Sequence, residues 1–468
     1  MINKKREKWI LALLLVLSAA VYISLVFNNN VWMDEAFTAT LVRTDMAGVL
    51  TRSMNDTLPP LYNILLKLAT DLFGYKVPVM KLLSAFFMIA TAFAGGFLVR
   101  RRFGLRAAVL FVLAVTFMPN MLFFGVEIRM YSLGFFCATL NGILAVECVK
   151  APRFSWFFAF TVVSVLAGYS HHFAFVTVGF VYFFLLLYYI LFEREHIRRF
   201  FICLAATAVL YLPCLLVTLQ QIRQVNGYFS MPEVTPAVFV KYMRYPFTTG
   251  FTPLSVLLLL TVAALFVRLL YTLLKNKSMQ PSGELYVLCC FLIYYGVLIF
   301  GTVISKLMTA NIFVDRYLFF AMGLLWLFFS IEGASLRKPL FIALVVLELL
   351  VGAVSYKTAF ASEYAPGAEE LTAFLKENVR EGDLLYTIED AEGLSLSLPF
   401  YDDRLEYIQT LPVPSGRVSG EEGPVIWCAV LDGYEDGAPA FEGYTAEYVG
   451  DFTFDRYAFR LYKLTGKN

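Results

Sequence analysis

About eleven runs of roughly twenty apolar residues recur along this chain, each long enough to cross a lipid bilayer as a helix. They fall near 9–27, 78–99, 107–124, 131–149, 156–173, 174–192, 200–218, 253–274, 284–305, 316–332 and 339–357. With 59% hydrophobic and only 16% charged residues, the chain is far from the charge content of a soluble globule. The fold class expected is therefore a membrane all-α polytopic bundle. Aromatic residues make up 17% of the chain, which suits lipid-facing helices and interfacial belts. The apolar runs make a lipid bilayer the expected partner, and a net charge of +2 gives no reason for a nucleic-acid one.

The basic residues sit in short loops. Lys4-Lys5-Arg6-Glu7-Lys8, Arg100-Arg101-Arg102 with Arg106, Lys150 with Arg153, Arg194 with Arg198-Arg199, Lys275 with Lys277, and Arg337-Lys338 flank every second junction. The positive-inside rule then places the N-terminus in the cytoplasm. An odd number of spans carries the C-terminus to the other side. The first apolar run lacks a small-residue cleavage site before Asn28-Asn29-Asn30-Val31-Trp32, so it reads as a retained helix. The seven cysteines imply no disulfide framework: six lie in expected spans and Cys428 has no evident partner.

Two stretches between spans are long. In residues 28–77, segments 34–50 and 58–73 read as amphipathic helices lying in the interface, with Leu61, Ile64, Leu65, Leu68 and Leu72 at helical spacing. Pro59-Pro60 suits a helix start, and Ser53, Asn55, Asp56 or Thr57 suits its cap. Residues 219–252 form the second long loop, with Arg223, Tyr228, Lys241, Tyr242, Arg244 and Tyr245. Past 360 the apolar runs shorten. A helix over 368–380, strands at Leu384–Ile388 and Val425–Val430, and a hairpin over 443–464 make one small extracytoplasmic α/β domain. Two domains follow: 1–359, spanning the membrane, and 360–468 outside it.

On this topology the polar residues of interest share the outer face. Asp34, Glu35, Asp56 and Glu127 are its acids; Arg129, His171, His172, Lys306 and Arg316 are its bases and cations. A carboxylate at a membrane surface either stays in water or serves a site, because lipid burial costs several kcal/mol. Such a mixture suits chemistry in which a carboxylate activates a hydroxyl or amine while a cation holds a departing phosphate. Each cluster also has a plainer reading: a solvated flank for Asp34-Glu35, a local pair for Glu127 and Arg129, a helix start for Pro59-Pro60-Leu61-Tyr62. His171-His172 shows no zinc-ligand spacing. No glycine-rich nucleotide loop follows a strand.

The order of these clusters resembles the GT-C superfamily of membrane glycosyltransferases, and is most similar to bacterial relatives of protein O-mannosyltransferase and lipid A aminoarabinose transferase. The family's Asp-Glu pair after the first span matches Trp32-Met33-Asp34-Glu35. Its His-Pro-Pro-Leu-Tyr-Tyr pattern matches Asp56-Thr57-Leu58-Pro59-Pro60-Leu61-Tyr62-Asn63, with Leu58 where many relatives carry histidine. Its Glu-x-Arg-x-Tyr cluster matches Glu127-Ile128-Arg129-Met130-Tyr131. Tyr169-Ser170-His171-His172-Phe173 and Arg316-Tyr317 match two later motifs. The resemblance covers 1–360 well and the outer domain loosely.

The resemblance implies inverting transfer of a sugar from a polyprenyl-phosphate donor to a glycan, lipid or protein acceptor at the outer face of the cell membrane. Asp34 would be the catalytic base, supported by Glu35. Arg129, with Glu127 and Tyr131, would hold the donor phosphate. Asp56, Pro60, Tyr62, His171, His172 and Arg316 would line the substrate site. No cofactor is expected; a divalent cation is compatible with the paired carboxylates but not expected to be essential. The alternatives are a transporter or flippase for a lipid-linked saccharide, and an inactive scaffold whose outer domain binds cell-wall polymer. Few charges at mid-span argue against transport.

Overall fold

In a computed structural model, residues 4–228, 233–276, 283–308, 311–364, 369–379, 383–388, 392–401, 409–411, 425–431, 444–454 and 457–466 are described. Lys277 and the side chains of Arg223 and Tyr228 lie outside the described set. The chain divides into two compact units. One comprises Met1–Val26, Thr44–Tyr75 and Val79–Ala359; the other comprises Phe27–Arg43, Lys76–Pro78 and Phe360–Asn468.

The first unit is a helical bundle. Among the described residues nine helices are long and apolar enough to cross a membrane. The 41-residue helix Val77–Phe117 contains two of the expected spans, because its backbone breaks at Gly104, where φ is 84°. Only glycine tolerates that conformation cheaply. Phe154–Ser170 is apolar but just 17 residues long. With that break and that short helix counted, the expected eleven segments are all present as helices, and the protein is a multi-pass membrane protein.

Two helices form the centre. Nearly all of Tyr131–Lys150 and of Phe319–Ala334 is buried. They approach closely through small residues, as helices do in lipid: a methyl group at Gly323 would overlap Thr139, and one at Gly142 would overlap Leu324. Helices Phe154–Ser170, His172–Leu191 and Gly283–Leu307 pack around this pair. At one end of the bundle, Arg102 grips the fully buried Glu147 with a two-pronged bond of 2.6 and 2.5 Å. Arg268 pairs with Glu332 at 2.5 Å. All seven cysteines are free.

The spans hold more ionisable groups than the sequence suggests. Glu348 lies near the middle of Lys338–Tyr364, fully buried, and neither carboxyl oxygen has a hydrogen-bond partner among the described residues.

The segment after the first span differs in detail from one amphipathic helix over 34–50. It forms Met33–Leu41 and Met46–Met54. The break is chemical: the Asp45 carboxylate accepts from the Gly48 N–H at 2.8 Å and caps the second helix. The next helix runs Leu61–Phe73 with Pro60 at its cap position and no side-chain cap.

The second unit holds a five-stranded sheet. Its strands are β1 (Leu384–Ile388), β2 (Gln409–Leu411), β3 (Ile426–Leu431), β4 (Tyr444–Phe454) and β5 (Tyr457–Gly466), in the order β2-β1-β3-β5-β4. β1 is parallel to β2 and β3, while β3-β5 and β5-β4 are antiparallel. Leu371 and Leu375 of helix Glu369–Asn378, Leu394 and Leu398 of helix Glu392–Tyr401, and Trp427, Phe459 and Leu461 of the sheet share one apolar core. Helix Glu392–Tyr401 also packs on Met33–Leu41. Within this unit the Val31 N–H donates to the Tyr401 hydroxyl at 3.2 Å, and that hydroxyl also bonds the Asn30 side chain.

Candidate active site

In the helical unit, Glu127-Ile128-Arg129-Met130 is a non-helical insert between Met121–Val126 and Tyr131–Lys150. The insert is held from below. The Ser84 hydroxyl donates to the Glu127 carbonyl at 2.6 Å, and Tyr62 meets Ser84 at 2.7 Å. The Arg129 N–H turns back onto the Glu127 carbonyl at 2.6 Å. Tyr62, expected to bind substrate, is therefore buried as a prop beneath Glu127. Upstream, Asn120 takes a left-handed conformation (φ 70°), and its amide donates to the Tyr245 carbonyl at 3.1 Å.

Several predicted residues come together around this insert. Arg316, Glu127 and Arg129 all act electrostatically on the Tyr131 hydroxyl. The His171 ring lies 4.8 Å from the Tyr317 ring and 4.4 Å from Phe320. His171 caps the next helix: its Nδ1 accepts from the Phe173 N–H at 3.0 Å. Burial, then the neighbouring His172, Arg129 and Arg316, hold the His171 imidazole well below its ordinary range. A neutral ring whose Nδ1 accepts carries its proton on Nε2. That Nε2–H is buried and has no hydrogen-bond partner among the described residues.

Tyr245 repeats the pattern. Its hydroxyl is buried without a partner among the described residues. Burial, then Asp315, Tyr294, Tyr131 and Glu127, push its pKa well above the ordinary phenol range, so it stays a donor. Helices Tyr131–Lys150, His172–Leu191 and Phe319–Ala334 all begin at this place. Their N-terminal dipole ends add positive potential to that of Arg129 and Arg316. Buried donors, two guanidinium groups and three helix N-termini gather here and suit an anion, with the Glu127 and Asp315 carboxylates close by.

Beside it lies a chamber of about 330 Å³, lined by Thr57, Leu58, His171, His172, Gln221 and Tyr317 at its polar end and by Phe175, Val176, Phe300 and Ile304 along its apolar wall. His172 Nε2 and Gln221 Oε1 are 3.2 Å apart. The buried Gln221 amide donates to the carbonyls of Leu58 at 2.9 Å and Ser53 at 3.3 Å. Gln221 thus fixes the turn that presents Thr57 and Leu58, a role no motif signalled. Asp56 accepts from the Thr57 N–H at 2.6 Å within that turn. Pro60 is buried at the start of the following helix.

Asp34 and Glu35 belong to the other compact unit, in the first turn of Met33–Leu41. They are not equivalent. Glu35 is buried and reaches back to accept from the Trp32 N–H at 3.2 Å, as the acid of a capping box does. Asp34 is half-buried. Among the described residues no group of three or more His, Cys, Asp or Glu gathers as a metal site.

The whole architecture has a solved counterpart. ArnT from Cupriavidus metallidurans in the apo state matches over 98% of this chain and 98% of its own, with a TM-score of 0.66 at 11% identity. The chain shares the fold of that protein. The same protein bound to undecaprenyl phosphate matches over 97% of this chain and 98% of its own, with a TM-score of 0.62 at 13% identity. An oligosaccharyltransferase from Archaeoglobus fulgidus, in complex with Zn and sulfate, matches 86% of this chain and 62% of its own at a TM-score of 0.47 and 12% identity. No protein-family model and no curated protein sequence matches the chain.

Proposed function

We propose that this GT-C-type protein transfers a sugar, with inversion, from a polyprenyl-phosphate donor to an acceptor at the outer face of the cell membrane. One observation supports the reading: His171, which feels the charges of Arg129 and Arg316, also lines a chamber with a long apolar wall. A phosphate carried on a lipid tail has that same two-part chemistry. The undecaprenyl phosphate bound by the ArnT counterpart supports the assignment. The alternation of basic clusters supports a cytoplasmic N-terminus and an outer C-terminal domain.

In this proposal the acceptor is a glycan, lipid or protein group. Asp34 takes its proton as its oxygen or nitrogen attacks the anomeric carbon. The bond from that carbon to the phosphate oxygen breaks, and the electron pair leaves on polyprenyl phosphate. Arg129 and Arg316 stabilise the charge gathering there. Glu127 orients Arg129, and the neutral His171 Nε2–H and Tyr131 add hydrogen bonds. Glu35 holds the turn that carries Asp34. Asp56, Pro60, Tyr62 and His172 shape the substrate side. No step requires a metal ion.

The test follows radiolabelled sugar from undecaprenyl phosphate to acceptor with purified full-length protein. Asp34→Asn should abolish turnover and keep carrier binding; Arg129→Ala should weaken both. Transfer retained by Asp34→Asn would refute its role as base. The transporter alternative draws on Glu348, a lone mid-span carboxyl. Vesicle flipping of a lipid-linked saccharide that needs Glu348 but not Arg129 would favour it.

A further inference from the structure

Helix Val77–Phe117 carries a buried lysine that no step of the proposed chemistry uses. Lys81 is 1% exposed and ranks among the largest side chains wholly enclosed by the protein. Lysine is almost never buried without a partner charge. Near the end of a span its long stem can carry the ammonium out to water, and Lys76, just before this helix, is exposed. Lys81 forgoes that water, and enclosing an ammonium costs several kcal/mol unless negative charge offsets it. Its place on the helix shows where that charge lies. Lys81, Ser84 and Met88 recur at helical spacing and share one face. A methyl group on Gly125 would come within 3.1 Å of the Met88 side chain, and the Ser84 hydroxyl donates to the Glu127 carbonyl at 2.6 Å. The ridge therefore follows helix Met121–Val126 to the insert, and Lys81 stands about 5 Å further along the same line, beyond Glu127.

The cations already placed act on another side of that insert. Arg129 and Arg316 are among the leading charges on the Tyr131 hydroxyl and on the His171 ring, and Lys81 is among those of neither. Lys81 instead shares its helix face with Ser84, whose other partner is Tyr62 at 2.7 Å. The acids tied to this side are Glu127, whose carbonyl Ser84 holds, and Asp56, in the turn that leads to Tyr62. The charge balance of the reaction points the same way. Four carboxylates, Asp34, Glu35, Asp56 and Glu127, stand against two guanidinium groups before a phosphate brings further negative charge. We infer that Lys81 is a positioning residue of the transfer reaction proposed above, on which this inference rests: its ammonium balances the carboxylates on the side of the insert away from the carrier phosphate, and it serves turnover rather than carrier binding. Arg129 and Lys81 then divide between them what one cation at the surface could not do, the first holding the leaving group and the second keeping the acids in place.

The experiment compares wild type, Lys81→Met, Lys81→Gln and Lys81→Arg as full-length protein in nanodiscs. It reads sugar transfer from a labelled undecaprenyl-phosphate donor, the dissociation constant of undecaprenyl phosphate, and the melting temperature. Lys81→Met and Lys81→Gln should lower kcat about 10- to 100-fold, as displaced reacting groups do, with carrier affinity within about twofold of wild type. Lys81→Arg keeps the charge in a different shape and should recover kcat to within about fivefold of wild type. A folded neutral variant with full kcat, or a loss that appears in carrier affinity, overturns the inference. A kcat that Lys81→Arg does not recover makes the loss one of packing and overturns it too. So does failure of both neutral variants to fold, because the lysine is then structural. An active wild type with an inactive Asp34→Asn and an unaffected Lys81→Met overturns this inference alone. A wild type that neither binds the carrier nor transfers sugar overturns the proposed reaction as well.

Discussion

The two ends of helix Tyr131–Lys150 each bring a glutamate and an arginine together, and they do so to opposite effect. At the far end Glu147 is fully buried, and Arg102 satisfies both of its oxygens, with Arg101 at 3.9 Å as a further cation. At the near end Glu127 and Arg129 share their surroundings with a His171 Nε2–H and a Tyr245 hydroxyl that no described residue satisfies. A buried donor without an acceptor costs about 1–3 kcal/mol. Evolution tolerates that cost where a ligand supplies the acceptor. The far end is a lock between helices; the near end is the proposed binding site. The distinction rests on hydrogen-bond satisfaction, since charge and residue type are the same.

The sharpest way to break this comparison is at the acid proposed to do chemistry. Asp34→Asn should lower transfer by about 10²- to 10⁴-fold, the usual worth of a general base, with carrier affinity within about twofold of wild type. A turnover assay paired with a binding isotherm checks both. Next in size is the lock. Arg102→Ala strands a buried carboxylate and should cost about 3–5 kcal/mol of stability. Thermal denaturation in nanodiscs should show a melting temperature several degrees lower. Carrier affinity of the folded fraction should not change, because the lesion is at the opposite end of the helix.

His171 sharpens the comparison through pH. Its folded-state pKa is depressed, so the neutral ring contributes stability above its unfolded value of about 6.5, and that contribution is lost as pH falls below it. The slope is at most about 1.4 kcal/mol per pH unit. Wild-type melting temperature should therefore fall between pH 7 and pH 5, and His171→Gln should fall less steeply over the same window. Equal slopes would mean that the ring titrates normally. The smallest effect is at Glu35. Its bond to the Trp32 N–H makes it a cap, so Glu35→Gln should cost about 0.5–1 kcal/mol and retain most of the transfer activity. Loss of transfer as complete as in Asp34→Asn would instead place Glu35 in the chemistry.

Much of the membrane unit was legible in the sequence because lipid imposes one rule, that backbone polar groups be satisfied within each span. Apolar length then marks helices directly, and glycine in Arg102-Phe103-Gly104 marks the turn between two of them. Helix Glu392–Tyr401 was not legible: Glu-Gly-Leu-Ser-Leu-Ser-Leu-Pro alternates like a strand and contains Pro399, and only its packing on Met33–Leu41 and the sheet makes it a helix. The motif-bearing residues Glu127, Arg129, Tyr131, His171 and Arg316 are marked by order along the chain, and the fold brings them near one another. Gln221 and the open hydroxyl of Tyr245 were not, because their roles depend on partners far away in sequence: Gln221 bonds Ser53 and Leu58, and Tyr245 faces Asp315 and Tyr131. A glutamine beside another, Gln220, near the end of a long helix carries no local signal. Tyr62 shows the converse. Its motif implies a place at the substrate site, and the structure adds a bond from its buried hydroxyl to Ser84, which props Glu127.

The central claim is that the near end of the bundle is an anion site for a lipid-borne phosphate. The most direct measurement is the dissociation constant of undecaprenyl phosphate for full-length protein in nanodiscs, compared between wild type, Arg129→Ala and Arg102→Ala. A charge-assisted hydrogen bond is worth about 1.5–3 kcal/mol, so Arg129→Ala should weaken binding by about 10- to 100-fold while Arg102→Ala leaves it unchanged. Equal affinities in wild type and Arg129→Ala would contradict the account.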